Sequence, residues 1–220
     1  MVMAVDRTGI SALEFLPSRL TLPSMREAVQ ACRGCPLYKN ATQAVFGEGP
    51  PKARVVFVGE QPGNDEDLSG HPFVGPAGRV LDRAMQDAGI ERGDAYVTNV
   101  VKHFKWVAKG KLRMHQKPGA REIGACLPWL EKEIELVRPG VIVLLGATAA
   151  QTLMGKEFRV TARRGELLET PMAKHALATV HPSSILRVRT SDERHREMER
   201  FTEDLRVVSG LLNGKRTSKR

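Results

Sequence analysis

Three cysteines are the first residues whose type and spacing suggest chemistry. Cys32-Arg-Gly-Cys35-Pro36 is a tight CxxC turn able to aim two sulfurs at one metal, and Cys126 is a third donor much further along. Zinc and iron–sulfur clusters both take thiolates and both accept a histidine in place of one, so either fits with one ligand short of four. A redox dithiol competes, but that motif opens a helix directly after a strand. Here the pair follows an expected helix from Met25 to Ala31, ahead of any sheet. Incidental free thiols are the remaining reading.

A second set is acid–base and polar. Gly59-Glu60-Gln61-Pro62-Gly63, followed by Phe73-Val-Gly-Pro-Ala-Gly78, makes a glycine-rich loop opening a helix. Backbone amides there could face an anion, yet the run has neither a Gly-Lys-Ser/Thr ending nor a GxGxxG pattern. Glu60 is either a solvated carboxylate or a site residue. His181-Pro182-Ser183-Ser184 either caps a helix or lines a site. Lys102, Lys105, Lys109, Lys111, Arg113 and Lys117, interleaved with Phe104, Trp106, Met114 and His115, form an exposed loop or a groove for single-stranded nucleic acid.

The elements that must position these residues follow from periodicity. Arg54 to Val58 is a β-branched run ended by Gly59, as for a strand buried on both faces. Ala77 to Ala88 places Val80, Leu81, Ala84, Met85 and Ala88 on one helical face. Ala95 to Val101, Val141 to Leu145 and Ala176 to Val180 read as further strands. Glu122 to Val137, Ala147 to Met154 and Asp192 to Leu212 read as helices between and after them. The alternation predicts an α/β fold, a three-layer α/β/α sandwich around a mostly parallel four-stranded sheet. Ligands of such sheets bind beyond the carboxyl ends of the strands, where Glu60, Asn99, His103 and His181 all fall.

Composition sets the bounds. With 220 residues, 41% hydrophobic and 27% charged, the chain is expected to fold as one globular domain over 25–212. Residues 1–24 are expected to be an N-terminal extension and 213–220 a basic tail. The 34 Lys+Arg against 25 Asp+Glu leave +9, which favours a polyanionic partner without identifying it. No apolar run is long enough for a membrane span. No secretory signal is evident either, so a cytoplasmic, reducing setting with free or metal-bound thiols is expected.

Taken together, Gly59-Glu-Gln-Pro-Gly63, Pro72-Phe-Val-Gly-Pro-Ala-Gly78, Thr98-Asn99 and His181-Pro-Ser-Ser184 resemble, in order and spacing, the uracil-DNA glycosylase superfamily. With Cys32, Cys35 and Cys126 the resemblance is to its iron–sulfur branch, family 4, over roughly residues 30–210. That branch has Cys where this chain has His103, so a 4Fe-4S cluster held by three cysteines and one histidine is implied. An added basic segment, Lys109 to Lys117, is similar to the X-type enzymes (UdgX), which attach covalently to uracil-containing DNA. Their pattern reads Lys-Arg-Arg-Ile-His-Lys where this chain has Lys111-Leu-Arg-Met-His-Gln.

The resemblance implies roles. Phe73 would stack on uracil and Asn99 would bond its polar edge, with Gly59, Gly63, Ser183 and Ser184 completing the substrate pocket. His181 would donate to the departing uracil, with Glu60 and Gln61 as further catalytic groups. Lys111, Arg113, Lys117 and Arg187 would meet the DNA. His115, oriented by Glu60, would attack C1′ through a neutral imidazole, since histidine's ordinary pKa is about 6.5. One protein would then be consumed per uracil. The competing expectations are a turnover family-4 enzyme, in which His115 only contacts DNA, and a non-catalytic metal-containing nucleic-acid-binding module. Uracil and uracil-containing DNA, preferably single-stranded, are the expected partners of a monomer.

Overall fold

The computed structural model describes residues 11–214. In chain order the first elements are α1 (Leu22–Ala28), β1 (Val55–Gly59), α2 (Asn64–Ser69), α3 (Pro76–Asp87) and β2 (Ala95–Asn99). A hairpin follows, β3 (Trp106–Lys109) and β4 (Leu112–His115), then α4 (Ala120–Val137), β5 (Val141–Leu145) and α5 (Gly146–Met154). The chain closes with α6 (Val160–Arg163), β6 (Leu167–Thr170), β7 (Ala173–Thr179), α7 (Pro182–Leu186) and α8 (Ser191–Gly214).

Strands β2-β1-β5-β7-β6 form one sheet in that order. β1 pairs parallel with β2 and β5, and β5 pairs parallel with β7. The four expected strands are all present, and β6 adds an antiparallel fifth at the edge. Its Leu168 alone is buried, too little apolar pattern to mark an edge strand in sequence.

The central strands are apolar throughout because both faces are covered. Val55 and Phe57 point to one side, where Leu81 of α3 and Phe201 and Leu205 of α8 cover them. Val56 and Val58 point to the other, against Trp129 and Leu130 of α4 and Ala149 of α5. Each such fully buried side chain stabilises the fold by about 1.5–3 kcal/mol. A short 3-10 turn, Ala12–Phe15, packs beside α4, with Ala12 buried. Within residues 11–24, expected to belong to an extension, Ala12 lies in the core cluster, and Phe15, Leu16 and Leu22 pack against it. Residues 1–10 and the tail from 215 lie outside the described residues. Among those described, no helix is long and apolar enough to cross a membrane.

Two elements stand where loops were expected. The inserted basic segment is the β3–β4 hairpin, turned at Gly110 with φ +60°, a left-handed conformation that glycine adopts without strain. The loop after β1 contains α2. Positioning follows from register: Gly59 lies opposite Asn99 and Leu145 opposite Thr179. Chain segments leaving β1, β2, β5 and β7 therefore emerge together at one edge, with the order reversing at β1, the place where open α/β sheets bind ligands.

Candidate active site

That edge holds a cleft of about 490 Å³ bounded by Glu60, Phe73, Asn99, His115, Thr148 and His181. A smaller hollow of about 310 Å³ beside the C-terminal end of α3 contains none of the candidate residues.

Glu60 leaves β1 into the cleft. Its Oε2 accepts a hydrogen bond from Thr148 of α5, and its Oε1 lies 3.4 Å from His115 Nε2. Thr148 was not foreseen; its one signal was its place three residues after the end of β5 at Leu145. His115 closes β4, exposed, its ring 6.1 Å from that of Phe104. The structure thus brings the histidine of the added segment to the carboxylate that follows β1.

Asn99 is 3% exposed, and its side-chain amide has no protein hydrogen-bond partner among the described residues, facing the cleft instead. Gly59 makes room for it: a Cβ there would overlap Asn99 Oδ1 and stand 2.8 Å from the Phe73 ring. Phe73 itself sits at φ +58°, a left-handed conformation costing of the order of 1–3 kcal/mol in a bulky residue. A Cβ at Gly78 would overlap the Phe73 carbonyl, so only glycine allows that turn. The strained loop presents the Phe73 ring to the cleft, stacked 6.3 Å from the His181 ring.

His181 follows β7. Its Nδ1 accepts from the Ser183 amide at 3.2 Å and lies 2.8 Å from the Ser183 hydroxyl. An Nδ1 that accepts leaves the proton on Nε2. Burial, reinforced by the positive Arg187 and by His115, holds the pKa down at about 4, so the ring is a neutral donor at pH 7. Ser184 Oγ donates to the His181 carbonyl at 2.7 Å, and Arg187 Nη1 donates to Ser183 Oγ at 3.0 Å. Both serines were expected to line the substrate pocket; Ser183 borders the cleft, and the hydroxyls of both bond His181.

Several other side chains act as props. Gln61, expected to be catalytic, donates from Nε2 to the carbonyls of Lys105 (3.3 Å) and Gln116 (3.0 Å) and accepts from the Lys105 amide at 3.1 Å. It clamps both ends of the hairpin. Glu66 of α2, unforeseen, accepts from the Gly63 amide (3.0 Å) and the Gly75 amide (2.8 Å) and so ties the two glycine loops together. Its neighbour Asp67 is fully buried and takes Arg113 Nη1 at 2.6 Å. Arg113 also donates to Asn64 Oδ1 at 2.8 Å and lies 5.6 and 5.4 Å from the Phe104 and Trp106 rings. Expected to meet DNA, it ties the hairpin to α2. Lys111 and Lys117 are exposed, as is Arg187 at the cleft rim. Lys102 and Phe104 are buried rather than exposed.

The thiols gather beside α4. Cys32 and Cys126 are buried and Cys35 half-buried. Trp129 Nε1 donates to Cys32 Sγ at 3.3 Å, and the Lys102 amide donates to Cys126 Sγ at 3.3 Å. Burial pushes Cys126 up to about 12, and the proximity of Cys35 and Cys32 pushes it further in the same direction. His103 is buried and held neutral, its pKa down at about 4 through burial. Among the described residues, no three Cys, His, Asp or Glu side chains converge on a single metal ion. Electrostatically coupled thiols, each of two receiving an N–H bond, are donors that suit a cluster, whose ligands stand further apart than those of one ion.

Fold and cleft define an α/β protein with an acid–base site at the carboxyl edge of its sheet. The chain belongs to the uracil-DNA glycosylase superfamily, whose family model matches residues 46–206. It is 40% identical over 174 residues to the Type-4 uracil-DNA glycosylase of Thermotoga maritima, covering 79% of this chain and 87% of that protein. With the Type-4 uracil-DNA glycosylase of Archaeoglobus fulgidus it shares 37% over 173 residues, 76% of this chain and 83% of the other. A Type-5 uracil-DNA glycosylase of Pyrobaculum aerophilum is 29% identical over 181 residues, covering 74% and 76%.

Two outcomes are expected from this geometry. Asp67→Asn leaves Arg113 without its counter-charge and destabilises the protein by about 2 kcal/mol, with faster hydrogen exchange in the hairpin amides. Arg113→Gln leaves the salt dependence of DNA binding unchanged, whereas Lys117→Ala lowers the slope of log affinity against log salt by about 0.7–0.9. Second, the unfolded His181 takes up a proton near its ordinary 6.5 while the folded ring refuses it until about pH 4. Stability is therefore lost as pH falls through that window, and His181→Asn removes this part of the fall in melting temperature.

Proposed function

We propose that this chain removes uracil from DNA by hydrolysing its N-glycosidic bond, releasing free uracil and leaving an abasic site. The observation that carries this reading is the unpartnered, buried amide of Asn99 facing the cleft between a stacking ring and a neutral histidine donor. The Type-4 names of the relatives at 37–40% identity support turnover.

A base in a duplex is shielded, so the target must come from a single strand or be rotated outward at a cost of a few kcal/mol. Phe73 stacks on the extruded ring. Asn99 offers both a donor and an acceptor to the uracil edge, which cytosine mismatches. As the C1′–N1 bond breaks, its electron pair leaves with uracil, and the His181 Nε2–H donates to the developing anion. One preorganised donor of this kind contributes about 3 kcal/mol. Water aligned by Glu60, itself held by Thr148, bonds to C1′ and gives up its proton to that carboxylate. The exposed Lys111, Lys117 and Arg187 supply phosphate contacts, which position DNA without reading its bases.

A second reading, covalent capture by His115, is favoured by one observation: the 3.4 Å approach of His115 Nε2 to Glu60 puts an imidazole beside the carboxylate that would otherwise align water. In that step an imidazole lone pair forms the bond to C1′ as uracil leaves, and Glu60 faces the resulting cationic ring. We further infer that Cys32, Cys35, His103 and Cys126 hold a 4Fe-4S cluster. When bound, it would join the CxxC segment to α4 and the root of the hairpin, as a structural staple.

Incubation with uracil-containing single-stranded DNA, resolved on a denaturing gel, is expected to yield free abasic product in excess of the protein, little altered by His115→Ser. An equimolar shifted band that His115→Ser converts to abasic product would establish capture instead. Salt-sensitive binding indifferent to uracil, with neither product, would overturn both. For the cluster, Cys126→Ser is expected to lower iron per chain, visible absorbance and melting temperature together. A colourless wild-type protein carrying zinc would refute the assignment.

A further inference from the structure

The mechanism leaves one buried ion pair unused. Lys102, just beyond β2, and Glu133 of α4 are both fully buried and in direct contact. All three ammonium directions are occupied: Glu133 Oε2, Thr98 Oγ1 at 2.7 Å, and the backbone carbonyl of Asn99 at 2.8 Å. Glu133 in turn accepts from Thr98 Oγ1 at 2.9 Å, Tyr96 Oη at 3.0 Å and the Gly47 amide at 2.8 Å.

Such a pair is a poor source of stability. Desolvating two charges costs several kcal/mol each, and well-packed apolar replacements are often neutral or better. Its geometry suggests another task. The Asn99 side chain has no protein partner in the cleft, so its direction is set from the backbone side. β1 ends opposite Asn99, and the amides of Val100 and Val101 bond the carbonyls of Gly59 and Glu60. The Asn99 carbonyl is taken by Lys102, and Lys102 is held by Glu133 on a different element.

We propose that Lys102 and Glu133 are positioning residues that aim the Asn99 amide and thereby set which pyrimidine the cleft accepts. This deepens the proposed function and rests on its reading of Asn99. Neither residue touches the base; they act through the peptide unit that carries the one that does.

The test is the double variant Lys102→Met/Glu133→Gln, which removes both charges together and keeps an acceptor for Tyr96 and Gly47. The amide of Lys102 that bonds Cys126 is unaffected by the side-chain change. The variant is expected to melt close to wild type and to bind uracil-free DNA with unchanged affinity and salt slope. Free uracil should bind more weakly and uracil excision should slow, each by about tenfold to a hundredfold, as for other small misplacements of reacting groups. Discrimination against cytosine should narrow as well. A folded double variant with wild-type uracil affinity and excision would overturn the proposal. Should that variant fail to fold, Thr98→Val, which removes the hydroxyl shared by ammonium and carboxylate, carries the same readouts, and unaltered uracil affinity would again overturn it. A wild-type protein that neither binds nor excises uracil would instead remove the reading of Asn99 itself.

Discussion

Parallel pairing of β2, β1, β5 and β7 in register is the constraint on which the site depends. Parallel strands all end at the same edge, and each must leave it by a connection long enough to cross back. Four connections therefore begin side by side, and the residues that start them cannot avoid one another. Glu60, Asn99, Thr148 and His181 come from chain positions as much as 121 residues apart (181 − 60), yet they bound one cleft. The apolar side chains of the strands, buried on both faces, are what make this edge rigid enough for chemistry.

Beyond the edge, rigidity is supplied by polar side chains rather than by apolar packing. The glycine loops and the hairpin bury little, so they would be mobile if left alone. Glu66 joins one loop to another, Gln61 grips both ends of the hairpin, and Asp67 holds Arg113 within it. Each prop is a hydrogen-bonded or ion-paired link that holds a loop or the hairpin against its neighbours. Asn99 and the Nε2 edge of His181 face the cleft with polar groups that make no hydrogen bond to another described residue.

Glycine has two distinct duties in this arrangement. Gly59 lets Asn99 and Phe73 approach each other closely, and Gly78 lets the Phe73 peptide lie against the start of α3. The strain at Phe73 is thus paired with the absence of a side chain at Gly59, before the loop, and at Gly78, just after it. A backbone held off its preferred conformation at the wall of a cleft is a common sign that the wall's shape serves the ligand.

Much of this was legible before any coordinates. Continuous β-branched runs marked β1 and β5 because strands buried on both faces have no polar alternation to hide, and the glycine loop and the two histidine segments stood out by composition. The edge strand β6 and the hairpin were not legible: with few buried residues, their pattern is that of a loop. Local sequence settles residue type, periodicity and therefore the identity of the α/β layers and of the groups able to do chemistry. It could not show that Gln61 bonds both ends of the hairpin, that Ser183 bonds His181 or that Arg113 pairs with Asp67, nor reveal that Lys102 is buried against Glu133. Those outcomes depend on which distant backbone or carboxylate lies within hydrogen-bond reach, a distance set by strand order and register across the whole sheet.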